Sequence, residues 1–162
     1  MDVITIDGPS GVGKTAVALA LARKLNRRFL SLGMLFRAFA WGTLKGIDFR
    51  IGGGEFRIFL KSTDDSTQIF LPKIKGEVLD QELFRNPSLE LICAQLATEP
   101  WVQEWIGCFI QRTFSKESLI VEGRTAGLFF PRALCKIFLT ASSKERFKRA
   151  AQESQRIGMP LS

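Results

Sequence analysis

The chain has 162 residues, 46% of them hydrophobic and 24% charged, which is enough for one domain with a sizeable core. Its net charge of +7 favours ligands that carry phosphate, while the even spread of the basic residues argues against a dedicated nucleic-acid arm. Because the chain contains no His, histidine-based catalysis is excluded.

The first motif joins a predicted strand at residues 3–7 to a predicted helix at residues 15–25. It has the form G-x-x-x-x-G-K-T and consists of Gly8, Pro9, Ser10, Gly11, Val12, Gly13, Lys14 and Thr15. Glycines let backbone N–H groups cradle phosphate oxygens, and the helix N-terminus adds its own N–H groups. Lys14 is the predicted catalytic cation on the β- and γ-phosphates, and the Thr15 hydroxyl is a predicted Mg²⁺ ligand. The motif predicts binding of a nucleoside triphosphate.

The remaining predicted elements follow in chain order. Strands are expected at 28–30, 56–62, 67–71, 119–121 and 136–139, and helices at 32–44, 86–98, 100–113 and from Ser142 or Ser143 onward. The strands at 56–62 and 67–71 are expected to form an inserted hairpin away from the parallel core. The other strands are short, apolar and separated by helices, which predicts an α/β fold with a parallel sheet covered on both faces.

Ligands of such sheets bind beyond the carboxyl ends of the strands, and Glu122-Gly123-Arg124 follows a strand there. Glu122 is a candidate Mg²⁺ ligand, and Arg124 is a candidate catalytic residue that bridges phosphates. The alternative for this motif is a polar strand end with a solvated arginine. Arg37 is a further candidate, for which a surface arginine on an amphipathic helix is the alternative.

Cys93, Cys108 and Cys135 fit no metal-ligand spacing and are expected to be reduced, buried thiols of a cytoplasmic protein. The apolar run at residues 3–7 is too short for a signal peptide. No apolar run approaches the length of a membrane helix, so no membrane partner is expected.

Four segments resemble the bacterial cytidylate kinase family: ITIDGPSGVGK, GMLFRAFAWGTLKGID, EGRTAGLFFP and KIFLTASSKERFKRA. The resemblance implies a P-loop nucleoside monophosphate kinase-like domain over residues 1–162, with an inserted antiparallel β element in an acceptor-binding subdomain at about 50–85. It implies transfer of the γ-phosphoryl group of ATP, with Mg²⁺, to CMP or dCMP. Transfer in that family proceeds by positioning and charge neutralisation, without a covalent intermediate.

Carried over by residue, the resemblance assigns ATP contacts to Gly8–Lys14, Arg146 and Arg149. It assigns acceptor contacts to Gly33, Arg37, Arg85 and Arg124. Several positions depart from the family pattern. The family pattern has polar or charged acceptor-binding residues at four positions that are occupied here by Leu32, Ala94, Gln103 and Thr125. It has an Asp at the position of Ser31 and a Tyr at the position of Phe36. Because each lost polar contact weakens binding, phosphorylation of CMP is expected to be very slow or absent.

The printed sequence ends where the family's lid begins, so the resemblance implies that the lid and the last strand are missing here. Residues 137–139 are then expected on an open sheet edge, which predicts a homodimer through that edge, coverage by the terminal helix, or poor solubility. Two alternatives in function remain. One is a non-catalytic nucleotide-binding relative, and the other is a P-loop kinase whose different small acceptor contacts Leu32, Phe36 and Ala94. A nucleic-acid partner is the least favoured reading.

Overall fold

The computed structural model describes residues 2–51, 55–80 and 86–157, and these residues form seven strands and six helices. The strands are β1 (Asp2–Asp7), β2 (Arg28–Ser31), β3 (Phe56–Ser62), β4 (Gln68–Ile74), β5 (Glu77–Val78), β6 (Ser118–Glu122) and β7 (Cys135–Phe138). The helices are α1 (Lys14–Lys24), α2 (Leu32–Leu44), α3 (Pro87–Leu96), α4 (Pro100–Phe114), α5 (Ala126–Phe129) and α6 (Ser143–Ile157). The short elements β5 and α5 have no counterpart in the sequence-based expectation.

A single sheet carries the fold, with strand order β3-β4-β2-β6-β1-β7 and with β5 paired to β4. The neighbours from β4 to β7 are parallel, which confirms the predicted α/β class. The expected separation of the β3–β4 hairpin from the parallel core is wrong. Phe29 and Leu30 of β2 pair with Ile69 and Phe70 of β4. The hairpin therefore extends the main sheet, because β4 supplies the free edge of β2 with backbone partners.

Side chains of the central strands alternate between two cores, as the pleat requires. Leu30 and Val121 belong to the larger cluster, together with residues of α2, α3 and α4, whereas Phe29 and Ile120 belong to the smaller cluster beneath α1. The fully buried side chains that helix α1 contributes to its cluster are small, Ala18 and Ala22, while Leu19 and Leu21 pack partly buried beside them. A short alanine-rich face lets this helix pack close to the sheet, directly behind the glycine-rich loop that precedes it.

An aromatic group fills the larger core and joins the hairpin to the helices. Phe39 of α2 stacks on Phe49, with ring centroids 4.1 Å apart, and Trp105 of α4 meets both rings edge to face at 5.1 Å. Phe56 of β3 contacts the same Trp105 ring at 5.3 Å. Such pairs each stabilise by about 0.5–1.5 kcal/mol beyond the area that they bury. This packing fixes the hairpin against α2 and α4.

The expected burial of the cysteines is only partly correct. All three are free; Cys93 is half-buried, whereas Cys108 and Cys135 are exposed. Helix α4 buries Val102 and Ile106 at helical spacing, which leaves Cys108 on its outer face. Cys135 lies on β7, the strand at one edge of the sheet.

None of the described helices is long and apolar enough to cross a bilayer.

Candidate phosphate-binding site

The loop between β1 and α1 is built from glycines whose conformations other residues rarely adopt. Gly8 has φ = 150°, and a Cβ atom there would lie 2.5 Å from the carbonyl oxygen of Leu139. Gly11 has φ = 74°, and its Cβ atom would approach the backbone oxygen of Arg146 to 3.1 Å. The glycines are therefore required both by the turn and by the close approach of the chain that follows β7. The loop therefore has the backbone conformations for which the sequence predicts glycine, while the cradle of N–H groups stays a prediction.

Lys14 begins α1 and turns back over the loop. Its Nζ donates to the carbonyl oxygen of Pro9 at 2.8 Å. Burial lowers the pKa of Lys14; Arg124 lowers it further, while Glu122 and Asp7 partly raise it. These influences show that the predicted residues of both motifs lie within electrostatic range of one another. Thr15 follows in the first turn of α1 and is half-buried.

Glu122 ends β6 and is almost fully buried, with 7% of its surface exposed. Ser31, at the end of the neighbouring strand β2, donates its hydroxyl to Oε1 of Glu122. The same Ser31 Oγ accepts the backbone N–H of Met34 at 3.3 Å and so caps α2. One hydroxyl thus links the start of α2 to the carboxylate at the end of β6.

Asp7 joins the two motifs from the other side. Its Oδ1 accepts the N–H of Ala126 at 2.5 Å and its Oδ2 accepts the N–H of Gly127 at 2.8 Å. Both donors belong to α5, which begins two residues after Arg124. The last residue of β1 therefore fixes the segment that carries Arg124.

Helix α6 brings two more of the predicted residues to the loop. Arg149 Nη1 donates to the carbonyl oxygen of Val12 at 2.8 Å. Arg146 lies against Gly11, and its Nε is buried without a hydrogen-bond partner among the described residues. A cavity of about 400 Å³ opens here, lined by Gly8, Pro9, Arg124, Phe138, Thr140, Ala141 and Arg146. The structure therefore gathers Arg124 and Arg146 around one space beside the loop.

On the predicted acceptor side, Arg37 lies over Gly33. A Cβ atom on Gly33 would be 2.9 Å from Nη1 of Arg37, so the absence of a side chain there makes room for the guanidinium group. Arg37 pairs with Glu90 of α3, through Nε–Oε1 at 2.5 Å and Nη2–Oε2 at 3.4 Å.

Burial raises the pKa of the Cys93 thiol, and both Arg37 and Arg124 act on it in the opposite direction. Arg37 and Arg124 therefore both lie near Cys93. The predicted contact Arg85 lies outside the described residues.

Leu32 and Gln103, two of the residues that depart from the family pattern, make contacts within the chain. Leu32 is 2% exposed and packs against Gly123, so its side chain offers almost no surface to an acceptor, which argues against the expected apolar lining at this position. Gln103 Nε2 donates to the carbonyl oxygen of Ala97 at 2.9 Å, beyond the end of α3. Ala94 is exposed, and Thr125 makes no side-chain cap at α5.

Sequence reasoning missed Asp7, Ser31 and Glu90. Asp7 carried a usable signal, because a charged residue at the end of a buried strand needs partners. The partners of Ser31 and Glu90 lie 91 and 53 residues away in the chain, and no local pattern shows such a pairing.

Within the described residues, no group of three or more acidic, cysteine or histidine side chains is arranged to hold a metal ion. Mg²⁺ commonly takes only one or two protein oxygens and completes its shell with water and phosphate oxygens. The nearly buried carboxylate of Glu122 and the hydroxyl of Thr15 fit that requirement, as oxygen donors beside the loop.

A parallel sheet with a glycine-rich loop, a lysine and a helix N-terminus at its carboxyl edge defines a P-loop α/β protein. The family model for cytidylate kinase matches residues 4–161, and the chain therefore belongs to the cytidylate kinase family.

Curated relatives agree with this assignment. The cytidylate kinase of Buchnera aphidicola subsp. Baizongia pistaciae is 35% identical and aligns with 97% of this chain and 70% of its own length. That of Rhodopirellula baltica is 31% identical, with coverages of 99% and 70%, and that of Aquifex aeolicus is 29% identical, with coverages of 98% and 72%. The similarity extends over nearly the whole chain.

Proposed function

We propose that this protein binds ATP with Mg²⁺ at the loop of residues 8–15 and transfers the γ-phosphoryl group to CMP or dCMP. The observation that carries the proposal is the position of the second motif beside the loop, at the carboxyl edge of the sheet: Glu122 pairs with Ile6, and Arg124 lines one cavity with Gly8 and Pro9. Membership of the cytidylate kinase family supplies the choice of acceptor. We place the reaction in the cytoplasm.

Each residue near the loop has a role that follows from its charge. Lys14 leaves the Pro9 carbonyl oxygen and donates to the terminal phosphates, since a phosphate oxygen is a stronger acceptor than a neutral carbonyl. Arg124 and Arg146 border the adjoining cavity and neutralise charge that spreads over the transferring group. Glu122 and Thr15 would hold Mg²⁺, which supplies further neutralisation of the phosphate oxygens when bound.

The acceptor phosphate is proposed to bind at Gly33 and Arg37, with Arg85 as a further contact taken from the family pattern. Residues of about 50–85 form the acceptor-binding part of the molecule in this proposal. Ala94 and Thr125 lack polar groups that the family pattern uses, so acceptor binding is weak and turnover of CMP is slow. Losing one such contact costs about 1–3 kcal/mol.

The test combines calorimetry with a coupled kinase assay. ATP with Mg²⁺ is expected to bind to the wild type, and Lys14→Ala is expected to weaken that binding without lowering the melting temperature. Lys24→Ala serves as the matched control, because Lys24 is exposed in the last turn of the same helix. Absence of binding at millimolar ATP would refute the proposal for the loop. ATP binding without formation of CDP from CMP, or of dCDP from dCMP, and of ADP from ATP would refute the proposed reaction.

A second candidate is phosphorylation of a different small acceptor by the same loop. The exposed Ala94 favours it, since a methyl group there cannot hydrogen-bond a cytosine base. The assay therefore includes other nucleoside monophosphates and small alcohols. Activity with one of these that exceeds the activity with CMP would select this candidate.

We also propose that a second copy of the chain pairs along β7. Within the described part of the sheet, β7 has a strand neighbour only in β1, and its last residue, Phe138, is 67% exposed. Free backbone groups next to an exposed aromatic ring favour association of strands. An identical strand would satisfy those groups.

A further inference from the structure

Asp7 makes contacts that the proposed phosphoryl transfer does not explain by itself. Its side chain is half-buried at the end of β1, and both carboxylate oxygens accept backbone N–H groups, from Ala126 at 2.5 Å and from Gly127 at 2.8 Å. A carboxylate that accepts two N–H groups at the start of a helix makes strong, charge-assisted hydrogen bonds. Its main chain is fixed as well, because its carbonyl oxygen accepts the N–H of Leu139 at 2.8 Å.

The segment held by Asp7 has no comparable support of its own. Thr125 occupies the N-cap position of α5, but its side chain makes no cap hydrogen bond. Asp7 replaces that cap from 119 residues away in the chain. Gly127 permits the contact, since a Cβ atom there would lie 3.1 Å from Oδ2 of Asp7. On the other side of the same residue, Lys136 Nζ donates to the Gly127 carbonyl oxygen at 3.0 Å.

Arg124 lies directly before this segment. Its side chain is exposed, and within the described residues it makes no hydrogen bond or ion pair, so contacts of its own do not place it. Its position is set by the backbone on either side. The N–H of Gly123 donates to the Ile6 carbonyl oxygen at 3.1 Å on one side, and Asp7 holds residues 126 and 127 on the other.

We propose that Asp7 is a positioning residue that holds Arg124 at the phosphate-binding cavity through the start of α5. The proposal rests on the proposed function, in which Arg124 neutralises the transferring phosphoryl group. A guanidinium group displaced by about 1 Å loses much of its effect on the transition state, roughly a hundredfold in rate. Asp7 therefore contributes to rate without touching the nucleotide.

The first experiment compares Asp7→Asn with the wild type. The amide keeps one acceptor oxygen but turns an NH₂ group toward one of the two backbone donors, so one hydrogen bond is lost. Amide exchange at Ala126 and Gly127 is expected to accelerate, and kcat is expected to fall by about 10- to 100-fold. The Kd for ATP, measured by calorimetry, stays within about threefold, because residues 8–15 are unchanged and Asp7 is the smallest of the influences on the pKa of Lys14. Asp2→Asn, at the exposed start of the same strand, is the control and leaves all three readouts unchanged.

A double-mutant cycle separates positioning from a general structural effect. In an Arg124→Ala background, Asp7→Asn is expected to cause no further loss of kcat, since Asp7 acts through Arg124. An equal loss in both backgrounds would overturn the proposal. Unchanged exchange at Ala126 and Gly127 in Asp7→Asn would overturn it too. If Asp7→Asn does not fold, Gly127→Ala takes its place, because its Cβ atom presses on Oδ2 and weakens the same hydrogen bond.

A readout independent of turnover distinguishes failure of this proposal from failure of the proposed function. ATP is expected to protect Arg124 from modification by phenylglyoxal in the wild type and to protect it much less in Asp7→Asn, at equal saturation with ATP. If the wild type has no kinase activity but ATP protects its Arg124 more than it protects Arg124 in Asp7→Asn, the kinase reaction is refuted and the role of Asp7 stands. Equal protection in both proteins would refute the role of Asp7.

Discussion

The surroundings of Lys14 both disfavour and favour the charged form of its amino group. Burial lowers the pKa of Lys14, and the carboxylates of Glu122 and Asp7 compensate only in part. In the structure the ammonium group donates to the Pro9 carbonyl oxygen at 2.8 Å. A phosphate group is a better partner, so ATP binding and protonation of Lys14 are expected to favour each other.

The first prediction concerns the pH dependence of ATP binding. Because the pKa of Lys14 lies below its ordinary value of 10.5, the group loses its proton at a lower pH than an exposed lysine does. ATP affinity is therefore expected to decline as the pH rises, beginning below the ordinary lysine range. Lys14→Arg keeps its charge throughout and should show no such decline. Calorimetric titrations between pH 7 and 10 test this, and parallel curves for the two proteins would contradict it.

The same deprotonation has the opposite effect on folding. Since the folded state has the lower pKa, the unfolded state binds more protons between the two pKa values, and the contribution of Lys14 to stability rises with pH in that window.

The second prediction concerns the Arg37–Glu90 ion pair and its effect on the KM for the acceptor, CMP. Glu90 holds the guanidinium group that we assign to the acceptor phosphate, so the phosphate must displace it. Glu90→Gln is expected to lower the KM for CMP by up to about fivefold, since exposed pairs of this kind contribute about 1 kcal/mol or less. The Kd for ATP should not change. Glu104→Gln, on the exposed face of α4, is the matched control. A raised KM in Glu90→Gln would instead show that Glu90 orients Arg37 for binding.

At the scale of the elements, the turn of the β3–β4 hairpin is attached to α1 by one residue. Asp65 Oδ1 accepts the Thr63 hydroxyl at 2.6 Å and the Thr67 N–H at 3.2 Å, while Oδ2 pairs with Arg23 at 2.9 Å. The hydrogen bonds from Thr63 and Thr67 are the main reason why the pKa of Asp65 lies far below its ordinary value. This contact complements the aromatic packing that holds the hairpin from the other face of the sheet.

Asp65→Asn is accordingly expected to lower the melting temperature and to accelerate amide exchange in β3. An amide cannot form the ion pair with Arg23 and accepts hydrogen bonds less strongly than a carboxylate does. Asp64→Asn is the matched control, because the neighbouring Asp64 is exposed. Equal melting temperatures for the two variants would show that the aromatic packing and the pairing of β4 with β2 position the hairpin without Asp65.

At the scale of the whole molecule, one edge of the described sheet ends in β7 and the other in β3. The two edges differ in charge. Strand β3 has Arg57 and Lys61 among its exposed residues, and basic side chains on an edge discourage pairing with other chains. Strand β7 has one basic residue, Lys136, whose Nζ donates to the Gly127 carbonyl oxygen, and its Phe138 is 67% exposed, against 43% for Phe59 of β3. Association is therefore expected at β7 rather than at β3.

Sedimentation velocity tests this expectation. The wild type is predicted to form a dimer whose fraction rises with concentration, and Phe138→Lys is predicted to stay monomeric with an unchanged melting temperature, since Phe138 is 67% exposed. Ile51→Lys, at a side chain that is 87% exposed outside β7, should dimerise like the wild type. A wild type that stays monomeric at high concentration would exclude the dimer.

The sequence by itself determined the phosphate-binding loop and the α/β class. Gly8, Gly13 and Lys14 are adjacent in the chain to the strand and helix that they connect, so local spacing carries the whole signal. The bounds of α2 and β3 were also predictable, because each follows a clear hydrophobic period between turn residues. The family resemblance rests on similarly local runs.

Only the tertiary structure decided how the site is held together. Asp7 caps α5, Ser31 bonds to Glu122, and β4 joins the parallel sheet, each through partners that are tens of residues apart in the chain. Such pairings depend on which strands become neighbours, and strand order is a property of the packed sheet rather than of any one segment. Hydrophobic periodicity assigns a residue to a face of its own element, whereas its partner is fixed only when elements pack and buried polar groups must be satisfied.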